Sequence, residues 1–210
     1  MSKILVIVDM QNSFIHSKGI LYIKDSKILI ERLQQFLTSI PSGYFDAIII
    51  TQDTHNKKDY ILSEESTMFP LHCEKDTWDW QLAFDETLIK DKSKIYKLYK
   101  DVFDMWATDT KSLNHSLFNL QGEDESISLS TFMNRYKASS STIYLIGVAS
   151  DYCNKYAIDG FLKNNYPICI IEELTKGIHA NISTVIHQFY QEHIISNQLK
   201  VISPKKLFTL

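Results

Sequence analysis

Residues 142–162, TIYLIGVASDYCNKYAIDGFL, decide how the whole chain is interpreted. They begin with an apolar run typical of a buried strand, pass through a short polar turn, and continue with apolar residues at helical spacing. Cys153 lies in the first turn of the predicted helix. Unpaired N–H groups and the helix dipole favour an anion there, so we expect the thiol to titrate below its free pKa of about 8.5. A lone cysteine is more often an inert buried residue, so its role as a nucleophile depends on the rest of the chain.

The composition predicts a single globular domain over residues 1–210. The chain is 44% hydrophobic, has a net charge of −3 and contains no basic cluster, which argues against nucleic acid as a partner. Its three widely spaced cysteines do not form a disulfide framework. The N-terminus lacks a signal-peptide pattern, and no apolar run approaches the roughly 20 residues that cross a bilayer. We expect a cytoplasmic protein without a membrane partner that associates as a homo-oligomer.

Strand and helix patterns alternate along the chain. Strands separated by helices form right-handed crossovers, which predicts an α/β fold with helices on both faces of a central, mainly parallel sheet of five to six strands. The predicted strands are 3–9, 47–51, 94–100, 143–148, 167–172 and 200–203, and the predicted helices include 28–37, 128–137 and 182–195.

Polar residues stand at the ends of four of these strands. Asp9 ends the first strand, Asp53 and His55 follow the second, Lys100 ends the third, and Cys153 follows the fourth. In parallel sheets, ligands bind beyond the carboxyl ends of the strands. We therefore predict that these side chains meet at one site.

Asp9, Lys100 and Cys153 form a candidate catalytic set. A cysteine that attacks an amide needs a group to take its proton and later to protonate the departing amine, and a carboxylate can do both. A lysine beside them would lower the pKa of the thiol or stabilise developing negative charge. Lys94 and Lys97 compete with Lys100 for this role, and alternation along the strand puts Lys94 and Lys100 on one face and Lys97 on the other. Taken singly, Asp9 and Lys100 are more often solvated surface residues.

Asp53, His55 and His72 form a candidate metal site. Asp53 and His55 point the same way from an extended segment, and His72 lies in the long irregular segment 56–92. Two imidazoles and a carboxylate suit Zn²⁺, with Fe²⁺ or Mn²⁺ as alternatives. The competing interpretation is chance proximity, since the chain contains seven histidines.

Aromatic residues are frequent near the same predicted edge. Most aromatic side chains belong to a core, but a ring-lined pocket over a reactive thiol would suit a flat substrate. The predicted substrate-binding residues are Phe14, Trp78, Phe103 and Trp106.

Together these segments resemble the isochorismatase-like cysteine hydrolases, the group that includes the nicotinamidases. The matching pieces occur in the order of that family: VIVDMQNSF at 6–14, TQDTH at 51–55, PLHC at 70–73, KDVFDMW at 100–106 and GVASDYC at 147–153. The resemblance implies a three-layer α/β/α Rossmann-like domain. It also implies the triad and the divalent metal site described above, with the metal holding the nitrogen of a pyridine ring.

The resemblance has two further implications at the central turn. A cis peptide between Val148 and Ala149 would turn the N–H groups of Ala149 and Cys153 into an oxyanion hole. Isochorismatases proper do not use a cysteine at the position of Cys153, so this residue favours cleavage of a C–N bond.

The chain departs from the family after the PLHC segment. The usual glycines are replaced by DTWD at 76–79, and Asp104 and Met105 stand where small residues are common. We predict an amidohydrolase whose leading substrate is nicotinamide, with a part in NAD salvage. The alternatives are hydrolysis of another small amide, N-carbamoyl compound or ureide, and a catalytically silent binding protein of the same fold.

Overall fold

The computed structural model describes residues 1–107, 116–119 and 127–204. Its strands are β1 Ser2–Val8, β2 Ala47–Asp53, β3 Ile95–Lys100, β4 Ser116–Asn119, β5 Ile127–Ser128, β6 Ser141–Val148, β7 Ile168–Lys176 and β8 Leu199–Ile202. Its α-helices are α1 Asn12–Ile15, α2 Ile28–Ser39, α3 Lys57–Tyr60, α4 Leu129–Met133, α5 Cys153–Lys163, α6 Ile182–Phe189 and α7 Gln191–Ile195.

One sheet contains all eight strands, in the order β5-β4-β3-β2-β1-β6-β7-β8. The pairs within β3-β2-β1-β6-β7-β8 are parallel. The short strands β4 and β5 are antiparallel and extend the sheet beyond β3. The predicted sheet of mainly parallel strands is therefore confirmed for the six strands from β3 to β8 in this order. The two antiparallel strands β4 and β5 were not predicted.

The continuous apolar runs of the inner strands are buried on both faces, as parallel strands between helices require. In β1, Ile4 and Val6 pack with residues of α4, α5 and α6, whereas Leu5 and Ile7 pack with residues of α2. The predicted three-layer α/β/α arrangement follows from this alternation.

Two predicted helices are wrong in extent. The helix expected over 182–195 is divided at Tyr190, whose hydroxyl donates to Asp159 Oδ1 at 2.5 Å on α5, so that its backbone leaves the helical conformation. The helix expected over 128–137 ends at Met133. There the hydroxyl of Tyr166 lies 2.9 and 2.7 Å from the carbonyl oxygens of Met133 and Tyr136, and the Met133 carbonyl also accepts from the N–H of Tyr136 in a tight turn at 2.9 Å.

Within the described ranges, we find no helix with the length and apolar character needed to cross a bilayer. The single domain, the cytoplasmic location and the homo-oligomer stay predictions.

Candidate active site

Asp9, Lys100 and Cys153 meet in the interior, beyond the carboxyl ends of β1, β3 and β6. The Lys100 Nζ lies 2.7 Å from Asp9 Oδ2 and 3.3 Å from Cys153 Sγ. Asp9 and Lys100 are completely buried and Cys153 is 6% exposed. A buried lysine is stable only when it is paired, and here its two nearest partners belong to the predicted set.

The neighbouring strand fixes the carboxylate of Asp9. The Thr51 hydroxyl donates to Asp9 Oδ1 at 2.6 Å, and Thr51 Oγ1 accepts from the Asp9 N–H at 3.1 Å. One carboxylate oxygen therefore faces Thr51 and the other faces Lys100. These two contacts together fix the orientation of the Asp9 carboxylate.

The alternative lysine lies elsewhere. The Lys97 Nζ forms an ion pair with Glu86 Oε2 at 2.8 Å. Because side chains alternate along a strand, Lys97 on β3 points to the opposite face from Lys100. The structure thus resolves the choice that the sequence left open in favour of Lys100 as the partner of Asp9 and Cys153.

The expected low pKa of Cys153 is wrong. Cys153 is the first residue of α5, as predicted. Burial nevertheless raises the pKa of its thiol well above the ordinary value, and the charge of Lys100 offsets this only in part. The cost of burying a thiolate is the largest effect on this pKa, and the nearby carboxylates of Asp9 and Asp53 act in the same direction. A raised pKa favours the neutral thiol, and Asp9 is the carboxylate nearby that can accept its proton.

The turn before Cys153 contains the predicted cis peptide between Val148 and Ala149. Within the described part of the chain, the N–H groups of Ala149 and Cys153 donate to no other group. The carbonyl of Ala149 accepts instead from the N–H groups of Tyr152 and Asn154 at 3.1 and 3.0 Å. Two free N–H donors beside the thiol can receive a developing oxyanion.

A cluster of metal-binding side chains adjoins this set. The Nε2 atoms of His55 and His72 lie 3.1 and 3.0 Å from the same oxygen, Asp53 Oδ2. His72 Nδ1 lies 2.9 Å from the carbonyl oxygen of Pro70, a contact that orients the ring with Nε2 toward the cluster. The structure brings together all three residues that the sequence proposed as ligands.

Glu65 is a fourth member that the sequence did not indicate. It is 5% exposed, and its carboxylate oxygens lie 3.4 Å from His72 Nε2 and 3.8 Å from His55 Nε2. Both oxygens are buried, and their polar neighbours are the two imidazoles. A second buried carboxylate beside Asp53 is stabilised by a cation, and the ligand atoms of the four residues all lie within 4.8 Å of one another. The donor set therefore fits a divalent metal ion.

The charges in this cluster depend on one another. Burial lowers the pKa of His72, but hydrogen bonds to Asp53 and Glu65 outweigh it and raise the pKa to about 10. Burial would raise the pKa of Asp53, but the charge of Lys100 and the contacts with His55 hold it well below its usual range. Lys100 Nζ lies 3.5 Å from Asp53 Oδ1, so one lysine joins the metal cluster to the triad.

A cavity beside Cys153 connects the two groups. Phe14 and Phe103, two of the predicted substrate-binding residues, line it. The remaining lining consists of Cys153, three residues of the metal cluster and further apolar side chains: Asp53, Glu65, His72, Leu21, Phe69, Ala149, Tyr152 and Ile178. Leu21, Phe69, Tyr152 and Ile178 were missed because they lie in irregular segments without a periodic pattern.

Trp78 and Trp106 do not line this cavity, which corrects the prediction that they bind substrate. Trp78 is 44% exposed, and its ring meets the edge of His16 at a centroid distance of 5.1 Å. Trp106 packs on Phe161 of α5 at 5.0 Å and covers Gly160, where any Cβ would overlap its ring. Trp106 therefore packs against the core, although it follows Lys100 closely in the sequence.

The segment 76–79, which departs from the family pattern, is hydrogen-bonded to the loop that carries His72. Asp79 Oδ2 accepts from the N–H of Cys73 at 2.9 Å, and Asp79 Oδ1 accepts from the N–H of Ile20 at 3.0 Å. The carboxylate joins the two loops where the family usually has glycines.

Comparison with known proteins agrees with this geometry. No family model matches the chain. The nicotinamidase of Saccharomyces cerevisiae is 26% identical over 204 residues, which cover 84% of this chain and 88% of that protein. The pyrazinamidase of Pyrococcus horikoshii in complex with zinc superposes with a TM-score of 0.67 at 20% identity, covering 97% of this chain and 99% of that one. The N-carbamoylsarcosine amidase of Thermoplasma acidophilum superposes with a TM-score of 0.65 at 17% identity, covering 97% of each chain.

The chain therefore has the α/β fold of the isochorismatase-like hydrolases. The resemblance to that group predicted from the five sequence segments is confirmed. Within the group, the similarity extends over most of the chain to a curated nicotinamidase.

Proposed function

We propose that this protein is a cysteine amidohydrolase that converts nicotinamide to nicotinate and ammonia. The observation that carries the proposal is the contact of Lys100 Nζ with both Asp9 and Cys153, at 2.7 and 3.3 Å, beside an apolar cavity that also reaches the metal cluster. The similarity to a curated nicotinamidase supports the choice of substrate.

The first half of the reaction forms a thioester. Asp9 takes the proton of the Cys153 thiol as Sγ attacks the amide carbon, and the N–H groups of Ala149 and Cys153 receive the oxyanion. Protonated Asp9 then donates to the amide nitrogen, the C–N bond breaks, and ammonia leaves. Lys100 keeps its positive charge throughout and stabilises whichever neighbour is anionic.

The second half of the reaction hydrolyses the thioester. Asp9, again a carboxylate, takes a proton from a water molecule that attacks the acyl carbon. The tetrahedral oxyanion occupies the same two N–H donors, and the C–S bond breaks as the thiolate regains the proton from Asp9. The product is a carboxylic acid.

Asp53, His55, Glu65 and His72 would hold the metal ion, for which we propose Zn²⁺, with Fe²⁺ or Mn²⁺ as alternatives. When bound, the ion offers a Lewis-acidic position for a ring nitrogen. The residues of this chain contribute the apolar walls: Phe14 and Phe69 lie against the ring of His72 at centroid distances of 5.7 and 6.4 Å. These rings line the cavity between the metal cluster and Cys153, where a flat ring would have aromatic neighbours.

Hydrolysis of an N-carbamoyl amino acid is the second candidate, because an amidase of this type has the same fold. Such a substrate brings a carboxylate, which requires a cationic partner. Of the described residues that line the cavity, none is a lysine or an arginine. The electrostatics of the lining therefore favour a neutral amide.

The deciding experiment measures ammonia release from nicotinamide and from N-carbamoylsarcosine by the purified, zinc-loaded protein. We expect release from nicotinamide only, which is abolished in Cys153→Ala. Cys169→Ala is the matched control, because Cys169 lies on β7 and does not line the cavity, and it should retain activity.

Release from neither substrate, with Cys153 still reactive toward iodoacetamide, would reject nicotinamide. Release from N-carbamoylsarcosine alone would establish the second candidate. An inert Cys153 together with no release would indicate a binding protein.

A further inference from the structure

Asp151 binds three consecutive backbone N–H groups of the turn at 177–181. Its Oδ1 accepts from Ile178 at 2.9 Å, and its Oδ2 accepts from His179 at 2.6 Å and Ala180 at 2.9 Å. Successive N–H groups that converge in a turn form a site for an anion, and here the anion is a side chain of the same protein. Hydrogen bonds to a charged acceptor are about twice as strong as those between neutral groups.

The sheet brings this turn to Cys153. After an irregularity in the β6–β7 pairing, Gly147 pairs with Thr175 and Val148 with Lys176, and the Ser150 N–H donates to the carbonyl of Lys176 at 2.9 Å. Gly177 then allows the tight reversal, because a Cβ there would overlap the carbonyl of Ala180. The turn at 177–181 therefore begins beside the C-terminal end of β6.

The turn supplies one wall of the cavity. Ile178 lines the cavity together with Tyr152 and Cys153. The ring of His179 lies 6.1 Å from that of Tyr152. Asp151 is two residues before Cys153, so its three hydrogen bonds connect the wall to the same short turn that positions the thiol.

We propose that Asp151 is a positioning residue that sets the distance between the Ile178 wall and the Cys153 thiol, and thereby the thickness of the ring that the cavity accepts. The inference rests on the proposed role of Cys153 as the nucleophile. Asp151 itself touches no reacting atom. Its effect is on substrate fit, because the wall can move away from the thiol only when the three hydrogen bonds break.

The test compares Asp151→Asn with Glu31→Gln, which makes the same change from acid to amide at an exposed position on α2. In Asp151→Asn, the amide NH₂ replaces one acceptor oxygen and faces backbone N–H groups. We expect KM for nicotinamide to rise about tenfold with kcat changed by no more than about twofold. Hydrogen exchange at the N–H groups of residues 178–180 should accelerate about tenfold.

A second readout does not depend on turnover. The rates of alkylation of Cys153 by N-phenylmaleimide and by iodoacetamide are measured by mass spectrometry of the peptide that contains it. The ratio of the bulky to the small reagent should rise several-fold in Asp151→Asn, since the wall no longer holds its place. Ile178→Ala, which keeps the three hydrogen bonds, should raise this ratio while the exchange at residues 179 and 180 stays unchanged. If Asp151→Asn does not fold, this variant tests whether Ile178 is the wall that limits access to the thiol, and an unchanged ratio overturns the proposal.

An unchanged alkylation ratio in both variants would overturn the proposal. So would a fall in kcat at constant KM, which would indicate damage to the catalytic groups. If nicotinamide is not a substrate at all, the alkylation and exchange results still decide the inference, so its failure can be distinguished from failure of the proposed function.

Discussion

At Cys153, burial and a neighbouring cation act on one thiol in opposite directions. Burial raises its pKa and Lys100 lowers it, with burial the larger effect. A sequence can indicate that a cysteine begins a helix, but it does not give the depth at which the sulfur lies. For this reason the sequence predicted correctly that Cys153 begins a helix, and predicted the direction of its pKa shift incorrectly.

The raised pKa predicts the pH dependence of thiol alkylation. Because the thiolate forms only above the ordinary pKa of about 8.5, the rate at which iodoacetamide modifies Cys153 should still be rising above that pH. Lys100→Met removes the opposing charge and should lower the rate at pH 8 by about tenfold or more, because the pKa of the thiol rises further. Lys97→Met is the control and should leave the rate unchanged. A profile that reaches its plateau below pH 8 would contradict this account.

Glu65 shows a different limit at the same scale. It follows Glu64 in a polar segment, and the sequence offers no reason to prefer one of the two. In the structure Glu65 begins a 3₁₀ turn and is buried against His55 and His72, whereas Glu64 is exposed. A one-residue difference in the path of an irregular segment thus decides which carboxylate can reach a metal.

At the scale of secondary structure elements, the end of β6 depends on a close approach to β1. Gly147 pairs with Val8 and has a φ of +114°. A Cβ at this position would overlap the backbone of Val8. The residue therefore lets the two central strands run side by side to the point where Asp9 follows one and the turn before Cys153 follows the other.

Two glycine variants separate backbone conformation from this close approach. Gly43 also has a positive φ, +77°, but nothing lies within 4 Å of a Cβ built there. Gly43→Ala should therefore cost only about 1 kcal/mol of unfolding free energy, the strain of a left-handed residue. Gly147→Ala adds overpacking against β1 and should cost about 3 kcal/mol or more. Urea unfolding measures both, and equal costs would show that the contact with Val8 is unimportant.

At the scale of the whole molecule, the metal cluster joins distant parts of the chain. Asp53 ends β2, Glu65 and His72 lie in the irregular segment between β2 and β3, and Lys100 at the end of β3 contacts Asp53. An ion that binds only the folded chain stabilises it by mass action.

Metal removal should therefore lower the stability of the whole protein. With zinc at about 100 times its dissociation constant, chelation should reduce the unfolding free energy by about 2.7 kcal/mol, which is measured as a fall in Tm. Glu65→Gln should weaken zinc binding about 10- to 100-fold in competition with a chelator, while Glu64→Gln, its exposed neighbour, should not. A Tm that is independent of zinc would show that the four residues do not hold the ion.

The sequence by itself determined the α/β fold, the parallel direction of the main strands and the grouping of Asp9, Asp53, His55, His72, Lys100 and Cys153 at one edge of the sheet. This was possible because continuous apolar runs without alternation indicate buried strands, and the carboxyl ends of parallel strands meet at one edge of the sheet. Only the tertiary structure decided between Lys97 and Lys100, placed Trp78 and Trp106 outside the cavity, and added Glu65 and Ile178. Those outcomes depend on the paths of irregular segments and on burial, which arise from contacts between residues far apart in the chain and leave no local pattern in the sequence.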